Sequence, residues 1–338
     1  MKSGETRSRN PFARWFSRRT AGDTLSLGTA ATDPSQPRPS QHATVASEPQ
    51  SRQNPRDAVS DTVWVTTLVE NTVNGRDLQA EHGLAFCIRT RRHCLLFDTG
   101  QSDLLLKNAR TLSVGLENVE AIALSHGHYD HTGGLQATCA AARKARIHLH
   151  PEALAPKFAG NPDGTSRSVG ISEANAQAVR AAADSVVWTT RPTEVVDGIF
   201  VTGEIPRQNA FEDGGGRFFL DEDCTQPDPL VDDQALFFDT RDGLVVLLGC
   251  AHAGVVNTLE YIQRITSGRP FQAVFGGLHL LSASPERRQK TIEAFRRWDI
   301  QTMAPAHCTG MSAIARLWTE FPDRCSSCAV GVSMAFHK

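Results

Sequence analysis

The chain has 338 residues, 40% of them hydrophobic and 21% charged, enough to bury the core of one large domain or two small ones without disulfides. Formal net charge is −2, so no basic excess points to nucleic acid or to an anionic membrane surface. No apolar run approaches the roughly 18 residues of a membrane helix, the longest being Leu244–Cys250.

Residues 1–60 are rich in Ser, Pro, Gln, Arg and Thr without an apolar period, the composition of a disordered tail. Arg7, Arg9, Arg14, Arg18 and Arg19 around Phe12, Trp15 and Phe16 leave a transit peptide or a basic docking segment open. Glu5 and Asp23, with no apolar stretch after Arg18-Arg19, favour a solvated tail. From Val63 the texture changes, and residues 61–338 are expected to form the folded domain. Val63–Leu68 reads as a strand and Gly83–Thr90 with His93–Phe97 as a hairpin. Asp103–Arg110 and Leu135–Ala145 have helical composition. A looser stretch, 156–180, is expected to cover or flank a site and leads into the Ala-rich helix Ser172–Asp184. Strands follow at Val186–Thr189, Ile199–Thr202, Ala235–Asp239 and Leu244–Leu248. Helix Val255–Ile265, strand Ala273–Phe275, helix Glu286–Trp298, strand Thr302–Pro305 and helix Met311–Phe321 complete the series. This mixture predicts α/β layers rather than a purely parallel sheet.

A faint echo runs through the pattern. Thr90-Arg91 leads through Leu95-Leu96-Phe97 to Asp98, then to Ala121–Leu124 and a histidine cluster. Thr240-Arg241 leads through Leu244–Leu248 to His252, then to Ala273–Phe275 and His279. Two similar β-rich halves, with a site between them, would account for it.

The cluster is Ser125-His126-Gly127-His128-Tyr129-Asp130-His131-Thr132-Gly133-Gly134, directly after the strand Ala121–Leu124. Three imidazoles and a carboxylate at this density suit a metal such as zinc, iron or manganese. As core residues each would need its own hydrogen-bond partner. One loop cannot surround a metal, so distant ligands are required. His252, His279 and His307 each follow an apolar strand beside small residues. His252 and His307 are read as ligands; His279 is open between a ligand and a proton donor. His42, His82, His93, His148, His150 and His337 lack that context. The eight cysteines read as reduced thiols of a cytoplasmic protein, with targeting by the first residues left open. Cys325-Ser-Ser-Cys328 has no second CxxC and reads as structural.

The HxHxDH run, the earlier Phe97-Asp98-Thr99-Gly100 and the late strand-end histidine together resemble the metallo-β-lactamase superfamily over roughly residues 63–315. The resemblance implies an αββα sandwich with two divalent metal ions, zinc foremost, in the cleft between its sheets. His126 and His128 would serve one ion, Asp130 and His131 the other, and Asp98 would orient the ligand loop. Within the family, Gly203-Glu204-Ile205-Pro206-Arg207, Asp232-Asp233-Gln234-Ala235-Leu236, Gly249-Cys250-Ala251-His252-Ala253-Gly254 and Gly276-Gly277-Leu278-His279-Leu280 resemble the branch of the dihydropterin-methyl-ribofuranosylaminobenzene phosphate synthases. The family's bridging aspartate, in a Gly-Asp phrase, is missing; Gly249-Cys250-Ala251-His252 stands in its region. Glu204 is an alternative oxygen ligand, an exposed turn carboxylate being the preferred reading.

The expected chemistry is hydrolysis of an ester, thioester, lactone or phosphoester by a metal-bridging hydroxide. Asp130 would orient the water and His279 would protonate the leaving group. Arg207 would either hold an anionic group of a small-molecule substrate or form a surface ion pair. The alternatives are a transferase acting on a phosphorylated ribosyl or pterin compound and a non-catalytic metal-binding effector sensor. A glutathione-thioester hydrolase would need a basic C-terminal helical region, which the short stretch after Phe321 does not resemble.

Overall fold

The computed structural model describes residues 61–338, so the tail expected over 1–60 lies outside the described residues. The chain begins with β1 (Thr62–Val69), β2 (Ala85–Arg89) and β3 (Cys94–Phe97), then crosses by helix α1 (Leu104–Thr111) to β4 (Ala121–Ala123). The one-turn helix α2 (Tyr129–Thr132) and α3 (Leu135–Ala141) lead to β5 (Arg146–Leu149). Next come β6 (Phe158–Gly160), β7 (Ser166–Ser168), α4 (Glu173–Ala181) and β8 (Val186–Trp188). The second half holds β9 (Thr193–Val196), β10 (Ile199–Val201), β11 (Phe218–Phe219), β12 (Leu236–Thr240) and β13 (Gly243–Leu248). It continues through α5 (Val255–Ile265), β14 (Phe271–Gly277), α6 (Pro285–Arg297), β15 (Thr302–Ala306) and α7 (Met311–Glu320) to β16 (Ser333–His337).

Two large sheets result, ordered β16-β1-β2-β3-β4-β5-β8 and β15-β14-β13-β12-β10-β9. Side-chain parity sets the layers. Val245 and Leu247 of β13 pack with Phe86, Ile88, Leu95 and Phe97 of the first sheet, in a core between the sheets. Leu244, Val246 and Leu248 point the other way, onto Leu259, Ile262, Ile292, Phe295 and Leu317 of α5, α6 and α7. On the far face of the first sheet, Leu96, Ile122 and Ile147 pack with Leu105 and Ala109 of α1, Leu135 of α3 and Val179 of α4. Three cores between four layers make an αββα sandwich. Strands buried on both faces read as continuous apolar runs, as Leu244–Leu248 does.

The echo has a structural counterpart. From β1 to β5 the neighbours run antiparallel, antiparallel, parallel, parallel. From β10 through β12, β13 and β14 to β15 the same series recurs. In both halves the turn at Thr90-Arg91 or Thr240-Arg241 joins the antiparallel pair, and the parallel strands after it end on the same side.

After Phe321 the chain holds a strand that the sequence did not show: β16 pairs antiparallel with β1 and closes that edge of the first sheet. The looser stretch, 156–180, also carries strands. β6 pairs with β7 and with β11 in a third, small sheet, and Gly170, just after β7, bridges His128. Such short strands carry too few side chains to show a period.

Candidate metal centre

The parallel strands deliver their loops to one end of the sandwich, the crevice at strand carboxyl ends where α/β folds bind ligands. After β3, Asp98 is fully buried and holds the loop that follows β4. Its Oδ1 accepts from the Ser125 amide at 2.6 Å, and its Oδ2 accepts from Ser125 Oγ and from His131 Nδ1, each at 2.7 Å. Gly249, after β13, passes so close that a Cβ there would lie 2.0 Å from Ser125 Oγ. Only glycine lets the two ligand loops meet.

Three imidazoles form the first set. His126 Nε2 and His252 Nε2 lie 3.0 and 3.2 Å from His128 Nδ1. Their outer nitrogens fix the tautomers. Ser125 Oγ gives its proton to Asp98 and so accepts from His126 Nδ1 at 2.8 Å. The Gly214 carbonyl accepts from His252 Nδ1 at 2.9 Å. Both Nε2 atoms therefore present lone pairs. Burial first, then mutual repulsion, holds His126 and His252 well below the ordinary histidine value, and burial holds His128 down at about 3. One N–H on His128 cannot satisfy two facing lone pairs, whereas one cation satisfies all three nitrogens. Tetrahedral zinc–nitrogen bonds separate ligand nitrogens by roughly 3.3 Å, close to what is seen here.

The second set gathers on Asp130. His307 Nε2 and His82 Nε2 each stand 3.2 Å from Asp130 Oδ2, with His131 Nε2 at 3.9 Å. His307 Nδ1 lies 2.9 Å from Asn71 Oδ1, and its buried Nε2 faces the carboxylate. Burial pushes Asp130 up, but His131, His307 and His82 outweigh it and hold it well below the carboxylate range. Burial pulls His131 down, yet Asp98 and Asp130 raise it to about 9. Negative charge with ring nitrogens around it asks for a cation, proton or metal. A metal needs the carboxylate ionised, as it is here, and would take the place of the proton that His131 holds.

Backbone strain marks the same loops. Asp98, Ala251, His279 and His307 all have left-handed φ, 65°, 54°, 48° and 51°, rare for residues other than glycine and concentrated at functional sites. His307 is braced by its amide donating to Glu70 Oε1 at 2.9 Å.

Of the residues singled out in the sequence, His126, His128, Asp130, His131, His252 and His307 come together here. His279 joins them from β14, its ring centroid 4.4 Å from that of His252 and its Nε2 donating to the Gly215 carbonyl at 3.2 Å. Arg207 fits neither of its readings. Its guanidinium donates to the carbonyls of His252, at 2.8 Å, and Pro229, at 3.0 Å, bracing the ligand loop from behind. Glu204 stays outside the site as an exposed carboxylate 3.2 Å from His150 Nε2. Cys325 and Cys328 are buried in different cores and belong to none of the candidate metal groups among the described residues.

Sequence reading missed His82, Cys250 and Cys308 as site members. Cys250 and Cys308 stand next to singled-out residues, a signal that was available. His82, in Glu81-His82-Gly83 before β2, follows no strand and gave none. Asp232 and Asp233, read in the sequence only as part of a family phrase, turn out to accept from the amides of Gly127 and Ala253, each at 2.8 Å. Both ligand loops are thus tied to one segment.

His128 and His252 of the first set and Asp130, His307 and His82 of the second line a cavity of about 820 Å³, the size of a small-molecule site. Phe218 of the small sheet forms part of its wall, 4.9 Å from His128 between ring centroids. Leu281, Met311 and Trp318 form an exposed apolar rim, and Arg167 is the cationic side chain of the lining.

An αββα sandwich with histidine and carboxylate sets at the mouth between its sheets defines the class: the metallo-β-lactamase fold. Residues 79–261 match the sequence profile of the metallo-beta-lactamase superfamily, and the chain belongs to that family. It is 28% identical over 274 residues, 78% of this chain and 93% of the relative, to 7,8-dihydropterin-6-methyl-4-(beta-D-ribofuranosyl)-aminobenzene-5'-phosphate synthase of Methanocaldococcus jannaschii. An uncharacterized protein of the same organism is 29% identical over 258 residues, 75% of this chain and 93% of that one. Among solved structures, Tm1679, described as a metal-dependent hydrolase of the beta-lactamase superfamily, is similar with a TM-score of 0.68 and 30% identity, covering 82% of this chain and all of that one.

Proposed function

We propose that this protein is a hydrolase that uses two divalent metal ions on a small ester, thioester, lactone or phosphoester. The observation that carries the reading is the convergence of imidazole nitrogens and one ionised carboxylate, in two adjacent sets, beside a single cavity. His126, His128 and His252 would hold one ion; Asp130, His131 and His307, with His82 beside them, would hold the other. Bound there, the ions supply water activation near neutral pH and stabilisation of developing negative charge.

The chain's own groups divide the remaining work. Asp98 holds the outer nitrogen of His131 and so aims its inner nitrogen at the site. His279, already donating through Nε2, has a buried Nδ1 with no partner; as the imidazolium it would pass the Nδ1 proton to a leaving group. Arg167 would receive an anionic part of the substrate and the Leu281, Met311 and Trp318 rim an apolar part. Metal-loaded protein should hydrolyse at least one member of a chromogenic panel of phosphodiesters, thioesters, lactones and β-lactams, and His126→Ala should abolish that turnover. A metal-replete protein inert to the whole panel would count against hydrolysis. It would favour the second reading, a transferase acting on a phosphorylated ribosyl or pterin compound, which the likeness to the archaeal synthase supports.

A further inference from the structure

The two ligand sets hold a single carboxylate, Asp130, among the described residues, and a thiol lies where they meet. Cys250 Sγ is 3.2 Å from His131 Nε2. It also lies within 4.8 Å of the ligand atoms of His126, of His252 with His279, and of His307 with Cys308. It therefore faces members of both sets. The packing is shaped to bring it there. Ala251 takes its left-handed turn directly after it. Gly277 passes alongside, where a Cβ would come 2.3 Å from the Gly249 carbonyl and 2.6 Å from Cys308 Sγ. His131 Nδ1 is spent on Asp98, so the nitrogen turned to the sulfur is the inner, metal-facing one.

We propose that Cys250, as thiolate, is a ligand shared by the two metal positions, filling the place of a bridging carboxylate and making the pair selective for thiophilic ions. The thiol proton and the proton on the inner nitrogen of His131 pass to solvent when the ions bind, and metal–ligand bonds take their places. Thiolate favours zinc, cobalt and cadmium over manganese and magnesium, which prefer oxygen. The inference rests on the two-metal reading above.

The test is titration of the metal-free full chain with cobalt(II), following bound metal and the electronic spectrum together. Two equivalents should bind, and a sulfur-to-cobalt charge-transfer band in the near-ultraviolet should change with both. In Cys250→Ser that band should vanish while the visible ligand-field bands persist. The second equivalent should weaken by more than the roughly 10- to 100-fold that loss of a supporting partner costs. Cys308→Ser should keep the band. Two bound ions without a charge-transfer band, a band complete after one equivalent, or a band lost in Cys308→Ser and kept in Cys250→Ser would each overturn the shared thiolate while leaving the two-metal reading intact. No cobalt bound at all would remove both. Should Cys250→Ser fail to fold, X-ray absorption of the zinc-loaded parent decides, by the presence or absence of a sulfur shell at about 2.3 Å.

Discussion

At the scale of single residues, the site is built from tautomers fixed at a distance. His126, His252, His131 and His307 each commit an outer nitrogen to a fixed acceptor, Ser125 Oγ, the Gly214 carbonyl, Asp98 or Asn71. Each thereby turns its inner nitrogen to the site. Asp98→Asn keeps the shape but alters the hydrogen bonds that orient His131 and Ser125. Metal affinity should fall roughly 10- to 100-fold, read by competition with a chelator; unchanged affinity would show that the loop orients itself. His279 can be sorted by one variant. If Nδ1 is a proton donor, His279→Ala should keep its metal and lose roughly 10²- to 10⁴-fold in turnover, less for substrates with acidic leaving groups. Loss of metal content would make it a ligand, and no effect on either quantity would remove both roles.

At the scale of elements, the segment Asp232-Asp233-Gln234 before β12 is the clamp. Asp232 also takes the ammonium of buried Lys157 at 2.9 Å, and Gln234 reaches the carbonyls of Leu124 and Ser125. Burial raises Asp233 to about 6, against the pull of the Ala253 amide and the Arg207 charge. The folded chain thus holds a proton that the unfolded chain releases between about pH 4 and 6. This group's contribution to stability therefore falls as pH rises through that window and is least favourable above it. Asp233→Asn, which retains an oxygen for the Ala253 amide, should flatten that part of the curve, measured by denaturant unfolding near pH 5 and near pH 7. An identical slope in parent and variant would exclude Asp233 as its source.

At the scale of the molecule, the two halves repeat one strand pattern, and the site lies where their parallel strands end. The last strand secures the first sheet from its edge. Phe336 of β16 is buried against Phe238 and Phe275 of the second sheet, with ring centroids 6.1 and 5.6 Å away. Phe336→Ala should cost about 3–5 kcal/mol, seen as a lowered unfolding midpoint; a much smaller loss would mean that the edge is held by backbone pairing alone. At the other end, β1 is already paired on both sides, by β16 and β2. A chain starting at Asp61 should therefore fold and bind metal as the full chain does, and a truncated chain that unfolds or loses metal would show that residues 1–60 dock on the domain.

The sequence by itself determined the strands and helices with long apolar runs, such as Leu244–Leu248 and Val255–Ile265, because their burial pattern is local and periodic. It also determined the density of ligands in His126–His131 and the strand-end histidines, since small residues beside a lone histidine are visible in one dimension. Only the tertiary structure decided which side chains complete the sets. His82 reaches Asp130 across the cleft, Cys250 reaches His131 between sheets, and Arg207 turns from the site to brace a carbonyl. Each of these contacts joins residues tens to more than a hundred positions apart, and no local propensity or spacing carries that distance. It is set by how two sheets pack, which three separate cores fix together.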